Sequence, residues 1–561
     1  MCKGREKLKM KKFLQRQPQL ALVDINILIG LAFAALLPRI ILAFQLDMAS
    51  DELVYIQAAK IYFPLLEHLK IGAKGWSFNY EHPPLVKLFI GLALHLNTFL
   101  AHPLAELQAA RIPSIIMGTV LVIAIYWLGH AIVGRIVALL AALCLAFSPW
   151  LAFFSAIAYL DIPMTTLITL AYLLIWYAPP RPVLYPLAAT LLGLGAASKY
   201  PAVLIVPSMI LFTAHYFFLI RPRLPIEQRP SIPWGWWASA IIVAPLTFLA
   251  ADPAIWPSPY YLLIHSFAFE WTHAVNGHLT FIAGQANWHA PHWAIPFILL
   301  VKMSLFVTIP SAILACYALI QLIQFHLHHT KIEITDVTML SFLLLWLVGI
   351  IGMSSLFTIV VGTNYALPAA PPVALAGAYG LTKFLGYYRG QLFSPTSPEI
   401  APQESSPRLL RKLGLQPYAM ALVALLTIML TAPHLIGLIR VPDADGYSSE
   451  LFRGNDSVLQ GTYIGYRNAL QWLKQHTHDR ANVGFVTNWE TGIGLWYRYN
   501  KSFSTRYHLA SVYPGTRIPL YNYLIFPMNL IQRGITVPPQ YHIIHVVSGG
   551  NTIYCYITAR T

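Results

Sequence analysis

Long hydrophobic runs, separated by short polar stretches, recur from about Leu20 to Gly437. A run of ~20 apolar residues is long enough to cross a bilayer as a helix. We therefore predict a mainly α-helical, polytopic transmembrane bundle of about eleven spans. The predicted spans lie near residues 20–43, 112–131, 136–157, 162–178, 183–198, 200–220, 236–251, 294–324, 337–359, 365–386 and 416–437.

The pattern changes after residue 437. Short alternating or apolar stretches at Ala481–Val486 and Tyr541–Val547 are typical of strands and predict a small α/β domain. The expected organisation is a basic N-terminus (1–19), a transmembrane catalytic module (20–437) and an extracytoplasmic domain (438–561).

Composition supports a membrane protein. Only 11% of the residues are charged and 57% are hydrophobic, whereas about 25% of a soluble domain is charged. The net charge of +15 does not indicate nucleic-acid binding, because the basic residues are scattered. Their densest run, Lys3 to Arg16, is interpreted as the cytoplasmic flank of a retained first span rather than as a cleaved signal peptide. The four cysteines show no spacing typical of a zinc site or a disulfide.

Charge also predicts the topology. With the N-terminus inside, the basic residues between spans all fall on the inner side, as positive charges near spans do. These residues are Arg135, Arg181, Arg221, Arg223, Lys331, Arg408, Arg411 and Lys412. The stretch Leu85 to Leu100 would reverse that pattern if it crossed, so we expect an amphipathic helix on the outer interface. The main outer loops are then 44–111 and 252–293, and residues 387–414 form a flexible inner linker.

Acidic residues are scarce, so those next to spans are candidates for catalysis. Asp51 and Glu52 begin a helix after the first span, and Asp161 lies in the short outer turn between the third and fourth spans. A carboxylate near hydrocarbon usually faces a partner, a cavity or water, and a partly desolvated one can act as a general base. Helix capping explains Asp51 and Asp161 equally well from spacing alone.

A second group of candidates is suited to binding anions or metals. Glu81 and His82 precede Pro83-Pro84, and could bind a divalent ion or a phosphate, although a surface role explains such a pair at least as well. Cations at the outer ends of spans are Arg111, Lys199 and Lys302. Each can hold a lipid phosphate, or instead anchor a lipid headgroup or extend to the interface.

The loop 252–293 is rich in histidine and tryptophan, but it lacks the HxH or HExxH spacing of a metal site. Its His278 is a candidate ligand for sugar, acceptor or metal. The stretch Asp443-Ala444-Asp445 has the form of a DxD metal motif, which is common by chance.

The order of several short motifs resembles that of the GT-C membrane glycosyltransferases. The resemblance is to the branch containing the dolichyl-phosphate-mannose protein mannosyltransferases and the bacterial lipid A aminoarabinose transferases. It covers residues 47–380, and its pieces are Asp51–Tyr55, Glu81–Leu88, Ala110–Ser114, Leu160–Pro163, Gly195–Pro201, Gly277–Gly284, Lys302 with Pro310, and Tyr365–Pro368.

The resemblance implies roles for these residues. Asp51 would be the catalytic base, assisted by Asp161, with Glu52 as a further catalytic candidate. Lys199, His82, Lys302 and Arg111 would bind the donor phosphate, and Glu81, His278 and Tyr365 would serve the acceptor, the sugar or a metal. Thr363-Asn364 stands before Tyr365 where many members have Arg or Lys, which shifts phosphate binding towards Lys199 and Lys302.

The sequence thus predicts transfer of a sugar, with inversion, from a polyprenyl-phosphate donor to a protein, lipid or glycan acceptor. We expect an integral protein of the cell membrane with an extracytoplasmic active site. No nucleotide-phosphate loop follows a strand, and no cofactor is implied beyond a divalent metal, which stays open. The alternatives are a transporter or flippase of a lipid-linked substrate, which would favour related halves, and an acyltransferase or phosphotransferase, which would need a nucleophile or metal set.

Overall fold

The computed structural model describes most of the chain. The described residues are 22–327, 333–356, 360, 362–392, 417–441, 443–477, 480–487, 503, 505–513 and 521–561. The basic N-terminus, Lys331, and Arg408, Arg411 and Lys412 of the inner linker lie outside them.

Helices occupy all eleven segments predicted as spans, with further helices in the outer loops. The helices before the long outer loop are α1 (Leu22–Gln45), α2 (Glu52–Glu67), α3 (Leu85–Phe99), α4 (Glu106–Val133), α5 (Arg135–Phe147), α6 (Pro149–Ser155), α7 (Asp161–Tyr177), α8 (Leu184–Ser198), α9 (Val206–Ala214) and α10 (Trp234–Ala251). A 3-10 turn (Tyr200–Ile205) precedes α9 and a π turn (His215–Ile220) follows it, and together they form one apolar segment, Tyr200–Arg223.

The segment predicted as the outer loop 252–293 has structure of its own, consisting of α11 (Pro259–Asn276) and a hairpin of β1 (Thr280–Ile282) and β2 (Gln285–Asn287). The later membrane helices are α12 (Ala294–Lys302), α13 (Leu305–Leu327), α14 (Ile334–Leu356), α15 (Ala370–Leu392) and α16 (Pro417–Arg440), with a 3-10 turn at Thr363–Ala369.

The chain is a multi-pass membrane protein. Among the described residues, seven helices are long and apolar enough to cross a membrane, or eight if the bent pair α5–α6 forms one span. The predicted count of eleven spans is therefore not confirmed. Helices α3, α7 and α8 are apolar but shorter.

Two predicted spans are interrupted. The segment 136–157 bends by 63° between α5 and α6, where Pro149 begins the second helix. The segment 294–324 breaks at Met303, whose backbone is extended. At the break, the backbone N–H of Ser304 donates to His434 Nε2 of α16 (3.0 Å). The prediction of one continuous span there was wrong.

The C-terminal domain is a small α/β unit, as predicted. It contains α17 (Gly454–Ser457), α18 (Tyr466–His476), β3 (Ala481–Val486), β4 (Tyr507–Val512), β5 (Tyr523–Pro527), α19 (Met528–Gln532), β6 (Tyr541–Gly549) and β7 (Thr552–Arg560). The sheet order is β4-β3-β5-β7-β6, with β4, β3 and β5 parallel and β7 and β6 antiparallel. Both predicted strands, 481–486 and 541–547, are confirmed.

The domain is joined to the membrane helices by specific bonds. The Lys302 ammonium donates to the carbonyl oxygens of Asp445 (2.7 Å) and Tyr447 (3.0 Å), and the N–H of Ser449 donates to Val301 (2.7 Å). Asp47, just after α1, accepts a bond from the N–H of Arg467 at the start of α18 (2.8 Å). These bonds fix the C-terminal domain beside the C-terminal ends of α1 and α12.

Candidate active site

The centre of the site is a buried ion pair between Asp161 and Lys199. Asp161 is the first residue of α7, and Lys199 directly follows α8 in extended conformation. The Lys199 ammonium lies 2.8 Å from Asp161 Oδ1, and the two residues are 4% and 2% exposed. The two predicted residues are therefore brought together in one site.

Only one of the two carboxylate oxygens of Asp161 has hydrogen-bond partners among the described residues. Asn364 Nδ2 also donates to Asp161 Oδ1 (3.2 Å), and the Lys199 ammonium lies 5.1 Å from the centre of the Tyr365 ring. The second carboxylate oxygen, Asp161 Oδ2, is buried and has no hydrogen-bond partner among the described residues. A buried polar atom without a partner costs free energy, so the site favours an incoming hydrogen-bond donor.

Asp51 is linked to the region of Asp161 through Tyr159. The Tyr159 hydroxyl donates to Asp51 Oδ2 (3.1 Å) and accepts from the Asp51 N–H (3.3 Å). Tyr159 is only two residues before Asp161, and both carboxylates interact electrostatically with the Tyr55 and Tyr159 hydroxyls. Asp51 stands at the N-cap position of α2 but makes no side-chain capping bond, so capping does not explain it.

Glu52, by contrast, has hydrogen-bond partners within the protein for both of its carboxylate oxygens. The Arg111 guanidinium binds both Glu52 oxygens, through Nε (2.8 Å) and Nη2 (2.7 Å). It also donates to the carbonyls of Ala43, Leu46 and Asp47. The same carboxylate accepts the N–H groups of Ala49 and Ala158, each at 2.8 Å.

Both members of the Glu52–Arg111 pair are 0% exposed. The pair fastens α2 and the end of α1 to α4 and to the segment before α7. This geometry favours a structural role for Glu52 and Arg111 over the predicted catalytic and phosphate-binding roles.

His82 approaches the site from the first outer loop. Its Nδ1 lies 3.3 Å from Glu270 Oε1 of α11, and Glu270 in turn interacts electrostatically with Lys199. Glu81 accepts a bond from the Asn79 side chain. The sequence did not single out Glu270, although it is one of only two acidic residues in the 252–293 loop; that scarcity is the signal that could have identified it.

A buried lysine holds the His82 loop in place. Lys87 of α3 is 0% exposed, and its ammonium donates to the carbonyls of Asn79 (2.7 Å) and His82 (2.8 Å). It interacts electrostatically with Asp252, whose pKa burial raises to about 7. The sequence analysis assigns a role to neither Lys87 nor Asp252.

Lys302 lies apart from this centre. It is 1% exposed, and its contacts are the C-terminal domain carbonyls already described, with Asp443 and Asp445 as electrostatic partners. The buried cation therefore has its anionic partner within the protein. The predicted role in phosphate binding has no support from these contacts.

The remaining candidates divide between near and distant positions. Tyr365 lines the Lys199 side of the centre, whereas His278 lies half-buried between α11 and β1. Across the described residues, no group of three or more His, Cys, Asp and Glu side chains could hold a metal ion.

Comparison with known proteins identifies a related family over part of the chain. The family of dolichyl-phosphate-mannose-protein mannosyltransferases matches residues 81–249, which include His82, Arg111, Asp161 and Lys199. No curated protein matches the sequence.

Two solved membrane proteins are similar in structure. The archaeal oligosaccharyltransferase AglB from Archaeoglobus fulgidus, in complex with an inhibitory peptide and a dolichol-phosphate, aligns with a TM-score of 0.48 and 12% identity. The match covers 86% of this chain but 63% of AglB, so this chain spans less than two thirds of that protein's length. ArnT from Cupriavidus metallidurans, bound to undecaprenyl phosphate, aligns with a TM-score of 0.45 and 12% identity over 96% of this chain and 98% of ArnT.

The resemblance predicted from the motifs is thus confirmed for a central part of the chain: residues 81–249 are similar to the dolichyl-phosphate-mannose-protein mannosyltransferases.

Proposed function

We propose that the protein is an inverting glycosyltransferase that moves a sugar from a polyprenyl-phosphate donor to an acceptor on the extracytoplasmic side. The observation that carries the proposal is the buried Asp161–Lys199 pair with its unpartnered Oδ2, beside a second carboxylate, Asp51. A cation, a hydrogen-bond acceptor and a candidate base then lie together at the outer ends of membrane helices.

Asp51 is the general base of the proposed reaction. It is half-buried, so an acceptor hydroxyl can reach it, and Tyr159 fixes its orientation. The acceptor oxygen bonds to the anomeric carbon as that carbon's bond to the phosphate oxygen breaks. The hydroxyl proton passes to Asp51, and the bonding pair leaves with the polyprenyl phosphate. Attack opposite the leaving group inverts the anomeric centre.

Lys199 stabilises the departing phosphate. The ammonium is buried and is held between Asp161 and the Tyr365 ring, where its charge acts in a low-dielectric setting. Of the predicted phosphate ligands, Arg111 and Lys302 already donate to protein carbonyls, whereas the Lys199 ammonium donates to the Asp161 carboxylate. His82, 3.3 Å from Glu270, is a second candidate donor to the phosphate.

Asp161 positions the reactants. Its Oδ1 accepts hydrogen bonds from Lys199 and Asn364. Its Oδ2 can therefore accept a hydrogen bond from a hydroxyl group of the sugar or acceptor. This interaction satisfies a buried oxygen that otherwise has no described partner.

An apolar groove next to Lys199 suits the donor's hydrocarbon chain. It has a volume of about 790 Å³ and is lined by apolar side chains of α8, α9, α10 and α11. Tyr200, which follows Lys199 in the chain, is part of its lining. A lipid lying in this groove would bring its phosphate to the Lys199 ammonium.

The extracytoplasmic orientation rests on the distribution of positive charge. Four arginines lie in the loops that the predicted topology places on the side opposite Asp51 and Asp161: Arg135, Arg181, Arg221 and Arg223. Basic residues near spans remain on the cytoplasmic side, so the two acids are assigned to the other side.

The test uses the full chain in lipid nanodiscs with a polyprenyl-phosphate sugar and an acceptor extract from membranes. The wild-type protein should release polyprenyl phosphate, and Asp51→Asn should release it about 10²–10⁴-fold more slowly. Asp336→Asn, an exposed acid at the start of α14, is the matched control and should retain full activity. Full turnover by Asp51→Asn would refute the assignment of the base, and movement of the intact donor across the bilayer without phosphate release would favour a flippase.

A further inference from the structure

A second cavity adjoins the candidate active site. It has a volume of about 480 Å³ and lies between the first outer loop and α11. His82 and Tyr200 line it, and these residues are also next to the catalytic centre, through Glu270 and Lys199 respectively. The cavity is therefore a neighbouring chamber of the same outer region.

A buried carboxylate lines this cavity. Asp252, which directly follows α10, is 1% exposed, and its Oδ1 has no hydrogen-bond partner among the described residues. Its electrostatic partner Lys87 already donates to the carbonyls of Asn79 and His82. A desolvated oxygen in this state is stabilised by a ligand that donates a hydrogen bond to it.

Aromatic side chains form another part of the wall. The rings of Tyr80 and His265 lie 5.0 Å apart, and His265 is stacked on Tyr261 at 6.1 Å and 24°. All three line the cavity, and Tyr261 is 64% exposed. A sugar ring presents C–H groups on its face and hydroxyl groups at its edge. The aromatic rings of the cavity can pack against the C–H groups, and the Asp252 oxygen can accept a hydrogen bond from a hydroxyl group.

Helix α11 contributes to the walls of both this cavity and the apolar groove. Leu263 and Phe267, four residues apart, line the groove, while Leu262 and Ser266, also four apart, line the cavity. Glu270, one turn further, reaches His82. One helix thus presents an apolar wall to one compartment, a more polar wall to the other, and a carboxylate to the centre between them.

We propose that the cavity binds the carbohydrate part of the acceptor, with Asp252 accepting a hydrogen bond from a sugar hydroxyl and with Tyr80 and Tyr261 packing against sugar rings. Its role as an acceptor site rests on the proposed transferase function, whereas the binding of carbohydrate does not. A ligand held here would extend past His82 towards Asp51 and the Asp161–Lys199 pair.

The test measures direct binding to the full chain in nanodiscs by saturation-transfer NMR. The probes are trisaccharides of mannose, glucose, galactose and N-acetylglucosamine, with glycerol as a control for nonspecific polyol binding. At least one trisaccharide should bind, and both Asp252→Ala and Tyr80→Leu should weaken that binding by about tenfold. Two different sites are changed so that a folding failure in one variant leaves the other as the test.

The matched control Asp336→Ala should bind the trisaccharide as the wild-type protein does. Binding of none of the trisaccharides, or undiminished binding by both variants, would overturn the inference. Trisaccharide binding without any release of polyprenyl phosphate would refute the proposed transferase but not the carbohydrate site. Phosphate release without trisaccharide binding would refute the site alone.

Discussion

Two buried ion pairs lie close together in this protein, and they differ in how completely they are satisfied. Glu52 and Arg111 bind each other at two points, and protein backbone groups take up both partners' further bonds. Asp161 and Lys199 meet at one carboxylate oxygen, and Asp161 Oδ2 has no hydrogen-bond partner among the described residues.

This difference distinguishes charged residues that stabilise the fold from charged residues that can bind a substrate. A buried pair whose donors and acceptors are all used within the protein has nothing left for a ligand, and its loss damages the fold. A buried pair with an unsatisfied oxygen is held in place by its surroundings while remaining able to bind substrate. From sequence the four residues look alike, because each is a rare charge at the end of an apolar segment.

The largest expected effect is on stability, at the saturated pair. Glu52→Gln leaves the Arg111 guanidinium buried without its counter-charge, which costs roughly 3–5 kcal/mol. We expect much less folded protein and a lower melting temperature in detergent. The double variant Glu52→Gln/Arg111→Met should recover part of the loss, because it removes both charges. A Glu52→Gln protein that is as stable as wild type but inactive would show that Glu52 is catalytic instead.

The next effect is on turnover, at the unsaturated pair. Asp161→Asn keeps the shape but removes the negative charge that holds Lys199 and weakens the acceptor at Oδ2. We expect polyprenyl phosphate release to fall by roughly 10²–10³-fold. Lys199 keeps the Tyr365 ring and Glu270 close by, so the melting temperature should fall less than in Glu52→Gln. A loss of stability as large as that of Glu52→Gln with unchanged turnover would reverse the comparison.

The smallest effect concerns a buried acid with a neutral partner. Asp443 accepts a bond from the Tyr554 hydroxyl, and burial raises its pKa to about 7. The folded protein therefore holds this proton more tightly than the unfolded chain, whose aspartate pKa is about 3.9. The resulting stabilisation is complete below pH about 4 and is lost as the pH rises to about 7.

Melting temperatures of Asp443→Asn and wild type between pH 5 and pH 8 test this third case. Wild type should lose roughly 2–3 kcal/mol of stability over that range relative to the variant. Equal pH dependence in the two proteins would show that Asp443 is ionised throughout, as a saturated carboxylate would be.

Much of the fold could be predicted from the sequence, because hydrophobic periodicity depends on local residues. The apolar runs identify the helices, and the alternation after residue 480 identifies two strands of the C-terminal sheet. The break between α12 and α13 could not be predicted, since the groups at the break bond to residues far along the chain, such as His434, 130 residues from Ser304.

The candidate site was predictable only in part. Scarcity of acids identified Asp51 and Asp161, and a cation at a span end identified Lys199. Sequence could not distinguish Arg111 and Lys302 from Lys199, because only tertiary contacts show that the first two donate to buried carbonyls. It also missed Glu270 and Asp252, whose significance comes from His82 and Lys87, more than 160 residues earlier in the chain.

The most direct test of the account is the rate at which Lys199→Gln releases polyprenyl phosphate from a polyprenyl-phosphate sugar, at equal amounts of folded protein. Lys474→Gln, an exposed lysine of the C-terminal domain, serves as the matched control. The account predicts that Lys199→Gln is slower than wild type by about 10²–10³-fold while the control is unchanged. Release at the wild-type rate by Lys199→Gln would contradict it.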